Sequence, residues 1–315
     1  MKLLRKVGIL LKNILFNLLN RLKPRSNFGW IFSFVLWLFL ILYLVIGSYF
    51  GIQIYKYKST SKVTVMASLA YPYPAAIVNG KVIWANSFFK ELGYLHTFSS
   101  KTKQTIPDDA TLRIQIIDQL AENKIISYQA LKYNVHISRQ DFNYQYQKIQ
   151  ENAGGLSEMK KVLHELYSMS ESNFKQHVYA QILKQKVRTQ VMQQVKVVHI
   201  FIKDEKRAND VAKQLRDNGN FADLAKQYSQ DTNSRDNGGE IGWLERGQLQ
   251  ADGKTLPEFD QAVFAAKIGD IVGPVKTSAG FEIVKVEGFK GVLDQNFDSW
   301  LTGLKQQAHI WRFIK

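Results

Sequence analysis

One histidine stands inside a strongly apolar segment of this chain. His199 lies in KVVHIFI, a segment with the pattern of a buried strand, and the five other histidines are scattered without a pair at helical ligand spacing. The chain has no cysteine, which excludes disulfides, thiol nucleophiles, Cys-ligated zinc and iron–sulfur clusters. The sequence therefore predicts chemistry that needs neither a thiol nor a metal, and no cofactor is expected.

Several separate blocks follow His199 in a defined order. They are Ser229-Gln230-Asp231, Gly238-Gly239-Glu240-Ile241-Gly242-Trp243, Arg246-Gly247-Gln248, Pro257-Glu258-Phe259, Gly273-Pro274-Val275 and Gly280-Phe281. Over residues 196–288 this order resembles the parvulin family of peptidyl-prolyl isomerases. The resemblance implies an α+β domain of βαααβαββ type with a small antiparallel sheet, and an activity that rotates X–Pro peptide bonds.

The same resemblance implies where the site lies. It assigns the apolar cup for the proline ring to Ile241, Phe259 and a leucine, either Leu249 or Leu256, because the intervening loop is longer than is usual in the family. The polar set that it implies is His199, Asp231 and Thr277. The alternative interpretation is structural: the apolar residues would be ordinary core, and Asp231 would form a turn in the turn-rich segment QDTNSRDNGG.

One position departs from the family pattern. Where Gly-Tyr-His is usual at the final strand, this chain has Gly280-Phe281-Glu282. A carboxylate there is expected to bond to His199 and to raise the pKa of the imidazole, because an opposite charge stabilises the protonated form. It would also place a charge beneath the apolar cup. The substitution at position 282 therefore leaves three alternatives for the isomerase activity: it is retained, weakened or lost.

The net charge of +15 is concentrated near the N-terminus. Residues 1–62 contain ten Lys or Arg and no acidic residue, whereas the remaining 253 residues carry about +5. Without a basic stripe interleaved with aromatics, nucleic-acid binding is not expected. Thirty uncharged residues separate Arg25 from Lys56, which is long enough to span a bilayer, so residues 29–55 are predicted as a transmembrane helix. A cleaved signal peptide is the alternative, but the nearest small-residue site, at Ala67 to Ala70, lies well beyond the apolar run.

The basic residues predict the orientation of this span. Seven precede it and three, Lys56, Lys58 and Lys62, follow it, which favours a cytoplasmic N-terminus and extracytoplasmic C-terminal domains. Residues 1–28 are predicted as a cytoplasmic basic segment whose first 22 residues are amphipathic. An interfacial helix on anionic headgroups and a simple topogenic tail both explain that pattern.

A helical region separates the span from the parvulin-like segment. Residues 56–70 are predicted as a linker, followed by a hairpin at Asn79-Gly80 and helices that start near Asn86, Asp108, Ser138 and Ser170. Residues 71–195 resemble the N-terminal chaperone domain of SurA- and PrsA-type foldases. The resemblance implies that residues 289–315 fold back to complete this domain, with Ile310 to Ile314 pairing with the hairpin. Trp300, Trp311 and Phe313 are expected to supply much of the burial of this segment.

Three functions are consistent with these patterns. The first is a single-pass, membrane-anchored foldase that binds unfolded or partly folded exported polypeptides and isomerises their X–Pro bonds. The second is a holdase chaperone in which the parvulin fold serves only for binding. The third is an envelope scaffold without clients. The sequence does not give the client identity or the oligomeric state.

Overall fold

The structure is a computed structural model that describes residues 27–315; the amphipathic segment expected at residues 1–22 lies outside the described residues. Its helices are α1 Asn27–Tyr55, α2 Lys62–Ala70, α3 Ala85–Thr102, α4 Asp109–Lys132, α5 Arg139–Asn152, α6 Leu156–Tyr167, α7 Glu171–Val191, α8 Glu205–Arg216, α9 Phe221–Tyr228, α10 Pro257–Phe264 and α11 Phe297–Gln307. Its strands are β1 Pro74–Val78, β2 Lys81–Trp84, β3 Gln194–Ile202, β4 Glu240–Glu245, β5 Gln250–Ala251, β6 Lys254–Thr255, β7 Ile271–Lys276, β8 Phe281–Lys290 and β9 Ile310–Arg312. The predicted α+β class is confirmed.

Helix α1 is one continuous apolar helix. Within the described residues, Phe32–Tyr55 is the one helical stretch long and apolar enough to cross a membrane, with a mean hydropathy of 2.3. Most of its large side chains are exposed, but Ile54 near its end is only 1% exposed and belongs to the core of the helical domain. The apolar helix is therefore packed into that domain at its C-terminal end.

The segment predicted as a linker differs from that expectation. Its second half is helix α2, which Ser61 caps by accepting a hydrogen bond from the amide of Thr64. Thr64, Ala67 and Ser68 are buried, and the helix contacts both α1 and α3. A sequence of polar and small residues predicts a linker because it has no apolar stripe that could face a core. In this structure the small side chains themselves form the buried face of the helix.

The helical domain is built on a three-stranded antiparallel sheet in the order β2-β1-β9. The predicted turn at Asn79-Gly80 joins β1 to β2, and both of its residues have positive φ. Several predicted helix starts are confirmed: Asp108 and Ser170 cap α4 and α7, and Ser138 with Asp141 forms a capping box on α5. The pair Gly154-Gly155, a sequence typical of a break between helices, separates α5 from α6.

The C-terminal segment lies against this domain. Strand β9 pairs antiparallel with β1, with Ile77 opposite Trp311. The expectation that Trp311 and Phe313 supply the burial is wrong, because they are 67% and 39% exposed. The apolar side chains of this segment that are buried are instead Phe297, Leu301 and Ile314.

The parvulin-like region is a four-stranded antiparallel sheet in the order β4-β3-β8-β7. Alternate residues of β3 face opposite sides, so Ile200 and Ile202 pack against α8 and α9, while Val195 and Val197 pack with α10. The longer loop forms the small hairpin β5–β6, which turns at Asp252-Gly253. This hairpin is the one addition to the predicted βαααβαββ order. The third helix of that order is a 3₁₀ turn at Arg235–Asn237.

The chain passes between the two regions twice, and an ion pair with a buried carboxylate also joins them. Arg188 of α7 donates from Nε to both oxygens of Glu245, at 2.8 and 3.1 Å, and the side chain of Gln194 donates to the same carboxylate at 3.0 Å. Glu245 is only 4% exposed. Removing Arg188 would therefore leave a buried carboxylate without its cation, a strongly unfavourable change.

Candidate active site

His199 lies in the central part of β3, with its side chain on the face that carries α10. In the pairing of β3 with β8, Phe201 is opposite Glu282, so the diagonal places His199 and Glu282 on the same face. Both are buried, at 4% and 3% exposure. The departure from the family pattern at position 282 therefore brings a buried carboxylate directly to the histidine.

Both ring nitrogens of His199 have carboxylate partners. Nδ1 lies 2.8 Å from Oε2 of Glu282, and Nε2 lies 2.9 Å from Oδ2 of Asp231 and 2.9 Å from Oγ of Ser234. Ser234 in turn donates to Asp231 at 2.5 Å. Because carboxylates accept hydrogen bonds on both sides of the ring, the arrangement favours the doubly protonated imidazolium.

The electrostatics agree with this geometry. Burial disfavours a charged imidazole, but the hydrogen bonds and charges of Glu282 and Asp231 outweigh it and raise the pKa of His199. Burial also raises the pKa of Glu282, although the adjacent imidazole opposes that effect. For Asp231 the hydrogen bonds from Ser234 and His199 outweigh burial and lower the pKa of the carboxyl. The three groups thus form one coupled set in which His199 holds its proton to a higher pH than usual.

A close backbone approach fixes the histidine. The amide of His199 donates to the carbonyl of Gly239 at 2.8 Å, and Gly239 has a φ of +84°. A Cβ at position 239 would lie 2.2 Å from the carbonyl oxygen of His199. Only glycine satisfies both the positive φ and this contact, so the Gly238-Gly239 pair of the sequence motif positions the strand that carries the histidine.

A cavity of about 480 Å³ opens over this polar set. Its walls combine the polar set with apolar side chains from β4 and from the longer loop: Ile241, Leu249, Ala251 and Leu256. Leu249 and Leu256, the two alternatives for the leucine of the cup, both line the cavity. The cavity can therefore hold a small apolar ring against a wall of hydrogen-bonding groups.

Two of the predicted site residues lie elsewhere. Phe259 is fully buried and is not among the residues that line the cavity; it packs in the same core cluster as Leu256, Ile241 and Leu249. Thr277 donates to the carbonyl of Gly280 at 3.1 Å and shapes the turn from β7 to β8. Both expectations came from family positions, and in this structure these two side chains support the cavity wall instead of forming it.

Ser234 is the residue that the sequence analysis missed. It is only 3% exposed and touches both His199 and Asp231. Its signal was its spacing, three residues after Asp231 at the start of the 3₁₀ turn, where the Arg235 amide donates to the Asp231 carbonyl at 2.9 Å. Ser229 helps from the other side, since its hydroxyl accepts from the amides of Phe201 and Asp231.

Comparison with known families agrees with the two folded regions. Residues 202–288 match the PPIC-type PPIase domain and residues 74–188 match the SurA N-terminal domain. The chain thus contains one region similar to a parvulin-type peptidyl-prolyl isomerase domain and one similar to a SurA N-terminal domain. The first of these matches begins three residues after His199.

Named relatives are foldases and parvulins. The chain is 36% identical over 136 residues to Foldase protein PrsA 3 of Bacillus anthracis, covering 42% of this chain and 46% of the relative. It is 44% identical over 94 residues to Parvulin-like PPIase of Rickettsia prowazekii, covering 30% and 32%. The chain spans about half or less of the length of these curated relatives.

Among solved structures, the peptidylprolyl isomerase PrsA from Bacillus anthracis aligns with 27% identity over 61% of this chain and 86% of that chain, with a TM-score of 0.31. The parvulin domain of PpiD from E. coli aligns with 34% identity over 31% of this chain and 90% of that chain, with a TM-score of 0.27.

Proposed function

We propose that this protein is a membrane-anchored, extracytoplasmic foldase that binds unfolded exported polypeptides and catalyses cis/trans isomerisation of their X–Pro bonds. The observation that carries the proposal is the cavity over His199, in which apolar side chains face a buried set of hydrogen-bonding groups. The match of residues 202–288 to the PPIC-type PPIase domain supports the same reaction.

The reaction makes few chemical demands, and the cavity meets them. Rotation of a peptide bond meets a barrier of about 18–20 kcal/mol because resonance is lost in the twisted state. No covalent bond forms or breaks, so an enzyme needs a seat for the ring and an environment that favours the twisted amide. Ile241, Leu249 and Leu256 supply the seat, and Asp231 with His199 supplies the polar wall.

Each polar residue has a distinct proposed role. His199 and Asp231 face the cavity and contact the substrate amide, and Glu282 holds the imidazole from the buried side. Thr277 positions the turn that carries Ala279, one of the lining residues. Phe259 supports the apolar wall from within the core.

The helical region is the proposed holding domain, comprising residues 71–195 completed by residues 289–315. Its end formed by α5, α6 and α7 has its own small core and two adjoining cavities of about 970 and 530 Å³. Both cavities include Ile149, Phe174 and His177, and the smaller one is also lined by Met159 and Met169. Flexible methionine side chains suit variable apolar partners such as unfolded clients.

The second candidate is a holdase without isomerase activity, and the buried carboxylate at position 282 favours it. A proline-peptide exchange assay on the full chain separates the two candidates, with Asp231→Ala as the site variant and Asp236→Ala as the control. Asp236 lies five residues along the same loop and is paired with Arg235 at the surface, so its removal leaves the site intact.

For the foldase, wild type and Asp236→Ala accelerate exchange and Asp231→Ala is slower. A wild-type chain that leaves exchange at the uncatalysed rate, yet still suppresses aggregation of an unfolded client, would establish the holdase. A chain that does neither would contradict both functions.

The proposed topology rests on α1 and on the basic residues that precede it. Protease added to spheroplasts should digest the region after Lys56, because the positive-inside rule places that region outside the cytoplasm. A cytoplasmic marker protein that stays intact is the control for membrane integrity. Protection of residues 56–315 alongside that marker would reverse the orientation and remove the extracytoplasmic role.

A further inference from the structure

Helix α2 has its apolar side chains on the outside. Val63, Met66 and Leu69 are spaced three residues apart on one face and are 61%, 59% and 65% exposed. Its inward face consists of the small or hydroxyl-bearing residues Thr64, Ala67 and Ser68. Helices of water-soluble domains have the opposite arrangement, whereas small inward and large outward side chains are typical of helices that face lipid.

Helix α2 leads the chain back down along the apolar helix α1. The Tyr71 ring stacks on Tyr43 with a centroid separation of 4.4 Å, and the Tyr43 hydroxyl lies 3.5 Å from the Ala70 carbonyl. Tyr73 donates to the carbonyl of Gly47 at 2.5 Å. Residues 69–73, which we call the apex, therefore lie at the level of Tyr43 to Gly47.

Two glycines on α1 make room for the apex. A Cβ at Gly47 would lie 2.7 Å from the Tyr71 ring, and one at Gly51 would lie 3.5 Å from the Tyr73 ring. Gly47 and Gly51 form the G-x-x-x-G spacing that commonly lets two membrane helices approach each other. In this chain Tyr71 and Tyr73 occupy that small-residue surface, which leaves it unavailable to a second copy of the helix.

The height of the apex places it at the outer edge of the bilayer. A hydrocarbon core of about 30 Å corresponds to about 20 residues of helix, which reaches Gly47 if the span starts at Asn27 and Ile52 if it starts at Phe32. The level of Gly47 thus lies between the boundary itself and about 8 Å inside it. Tyr43 lies about one helical turn, roughly 6 Å, deeper, so the apex lies within the outer half of the hydrocarbon core. Lys56, Lys58 and Lys62 then lie above the boundary, where anionic headgroups are found.

The backbone of the apex is suited to such a position. Pro72 and Pro74 have no amide hydrogen. The other two amides of this stretch are hydrogen-bonded: the Tyr71 amide donates to the Ala67 carbonyl at 3.0 Å, and the Tyr73 amide donates to the Tyr71 carbonyl at 2.9 Å. Irregular backbone is costly in lipid because unpaired donors find no water there. The Tyr-Pro-Tyr-Pro sequence leaves no unpaired amide in this stretch.

We propose that residues 62–73 insert their apex into the outer leaflet beside the anchor, so that the helical domain rests directly on the lipid. The inference rests on the proposed membrane anchor and adds a second lipid contact to it. Trp84, opposite Pro74 in the sheet, and Phe313, whose amide donates to the Ala75 carbonyl at 2.9 Å, extend the apolar rim of this contact. Both side chains are exposed, and aromatic residues are common at membrane interfaces.

The absence of native cysteine makes the test direct. Single-cysteine variants of the full chain are reconstituted in liposomes of neutral and anionic lipids and treated with a membrane-impermeant maleimide. Leu69→Cys probes the apex and Leu40→Cys probes the anchor. Leu131→Cys probes an exposed apolar position at the end of α4 that is opposite to the contact of Arg113 with the Lys58 carbonyl. All three must react fully after denaturation in detergent.

The expected result is that Leu69→Cys reacts at least about tenfold more slowly than Leu131→Cys, since an apolar environment disfavours the reactive thiolate. A fluorophore at position 69 should also be quenched by lipids that carry a shallow nitroxide. Adding Gly47→Val, which displaces Tyr71, should restore labelling at position 69.

Equal labelling of positions 69 and 131, with position 40 protected, would overturn the inference and leave the anchor in place. Labelling at position 40 as well would remove the anchor itself. Protection at position 69 without quenching by lipid would mean that a protein surface covers α2, which also overturns the lipid contact.

Discussion

Replacing Glu282 by glutamine tests the coupled set around His199. Glutamine keeps the length of the side chain and an oxygen that can accept from Nδ1, at a contact that is now 2.8 Å. A hydrogen bond to a charged group stabilises by about 1.5–3 kcal/mol and one between neutral groups by about 0.5–1.5 kcal/mol. Without the charge of the carboxylate, the protonated imidazole therefore loses about 1 kcal/mol of stabilisation, and the pKa of His199 should fall.

The assay is an NMR titration of the histidine ring in residues 184–290, which contain the whole four-stranded sheet and Arg188, the cation that pairs with Glu245. His199 is the only histidine in this range, so its signal is unambiguous. Glu287→Gln is the matched control: it lies on the same strand, pairs with Lys196 at 2.8 Å and should leave the titration unchanged. An unchanged pKa in Glu282→Gln, or an equal fall in both variants, would refute the coupling.

The same reasoning fixes the sign of a pH effect on stability. Folding raises the pKa of both His199 and Glu282. A raised pKa contributes stability that is fully present below the unfolded value and is lost as the pH rises through the folded value. The quantity to measure is the free energy of unfolding of wild type minus that of Glu282→Gln. This difference should fall as the pH rises from the ordinary pKa of a glutamate, about 4.5, through the raised pKa of His199. A relative stability that rises over this range would contradict the assignment.

Three further predictions concern packing. Gly239→Ala should destabilise the parvulin domain by more than about 3 kcal/mol in chemical denaturation, because the clash with His199 adds to backbone strain of about 1–3 kcal/mol. The control is Gly253→Ala, where φ is also positive but no atom lies near the added Cβ, so only the backbone strain should be seen. Phe297→Ala should lower the free energy of unfolding of the helical domain by about 3–5 kcal/mol. Its control is Trp311→Ala, which removes an exposed side chain and should stay within about 0.5 kcal/mol of wild type. Equal effects of the two variants would contradict the observed burial. Phe259→Ala should lower domain stability by about 3–5 kcal/mol, so activity lost without any change in melting would place its ring in the cavity after all.

Local signals predicted much of the fold. The capping residues Asp108, Ser138 and Ser170 and the Asn79-Gly80 turn act over a few residues, so their effects are visible in sequence and are found in the structure. The strands of the parvulin domain were predicted because motif blocks in the right order carry long-range information that periodicity lacks.

The expectations that failed depend on contacts far apart in sequence. Which face of α2 is buried depends on the groove on α1, and a helix with small inward residues gives no amphipathic signal. The exposure of Trp311 follows from the pairing of β9 with β1, which directs Ile314 and not Trp311 into the core. Ser234 was missed for a different reason: a 3₁₀ turn folds it back onto Asp231, a short-range geometry that composition does not specify.

The pairing of β9 with β1 also sets an order of events during biosynthesis. The parvulin domain is continuous in sequence, whereas the sheet of the helical domain needs a strand that begins at Ile310. At a synthesis rate of about 5–20 residues per second, about 10–50 s pass between the appearance of Trp84 and that of Ile314. A nascent chain arrested before Ile310 should therefore contain a protease-resistant isomerase domain beside a helical region that is still digested. The helical domain is therefore completed last, after the parvulin domain has already folded.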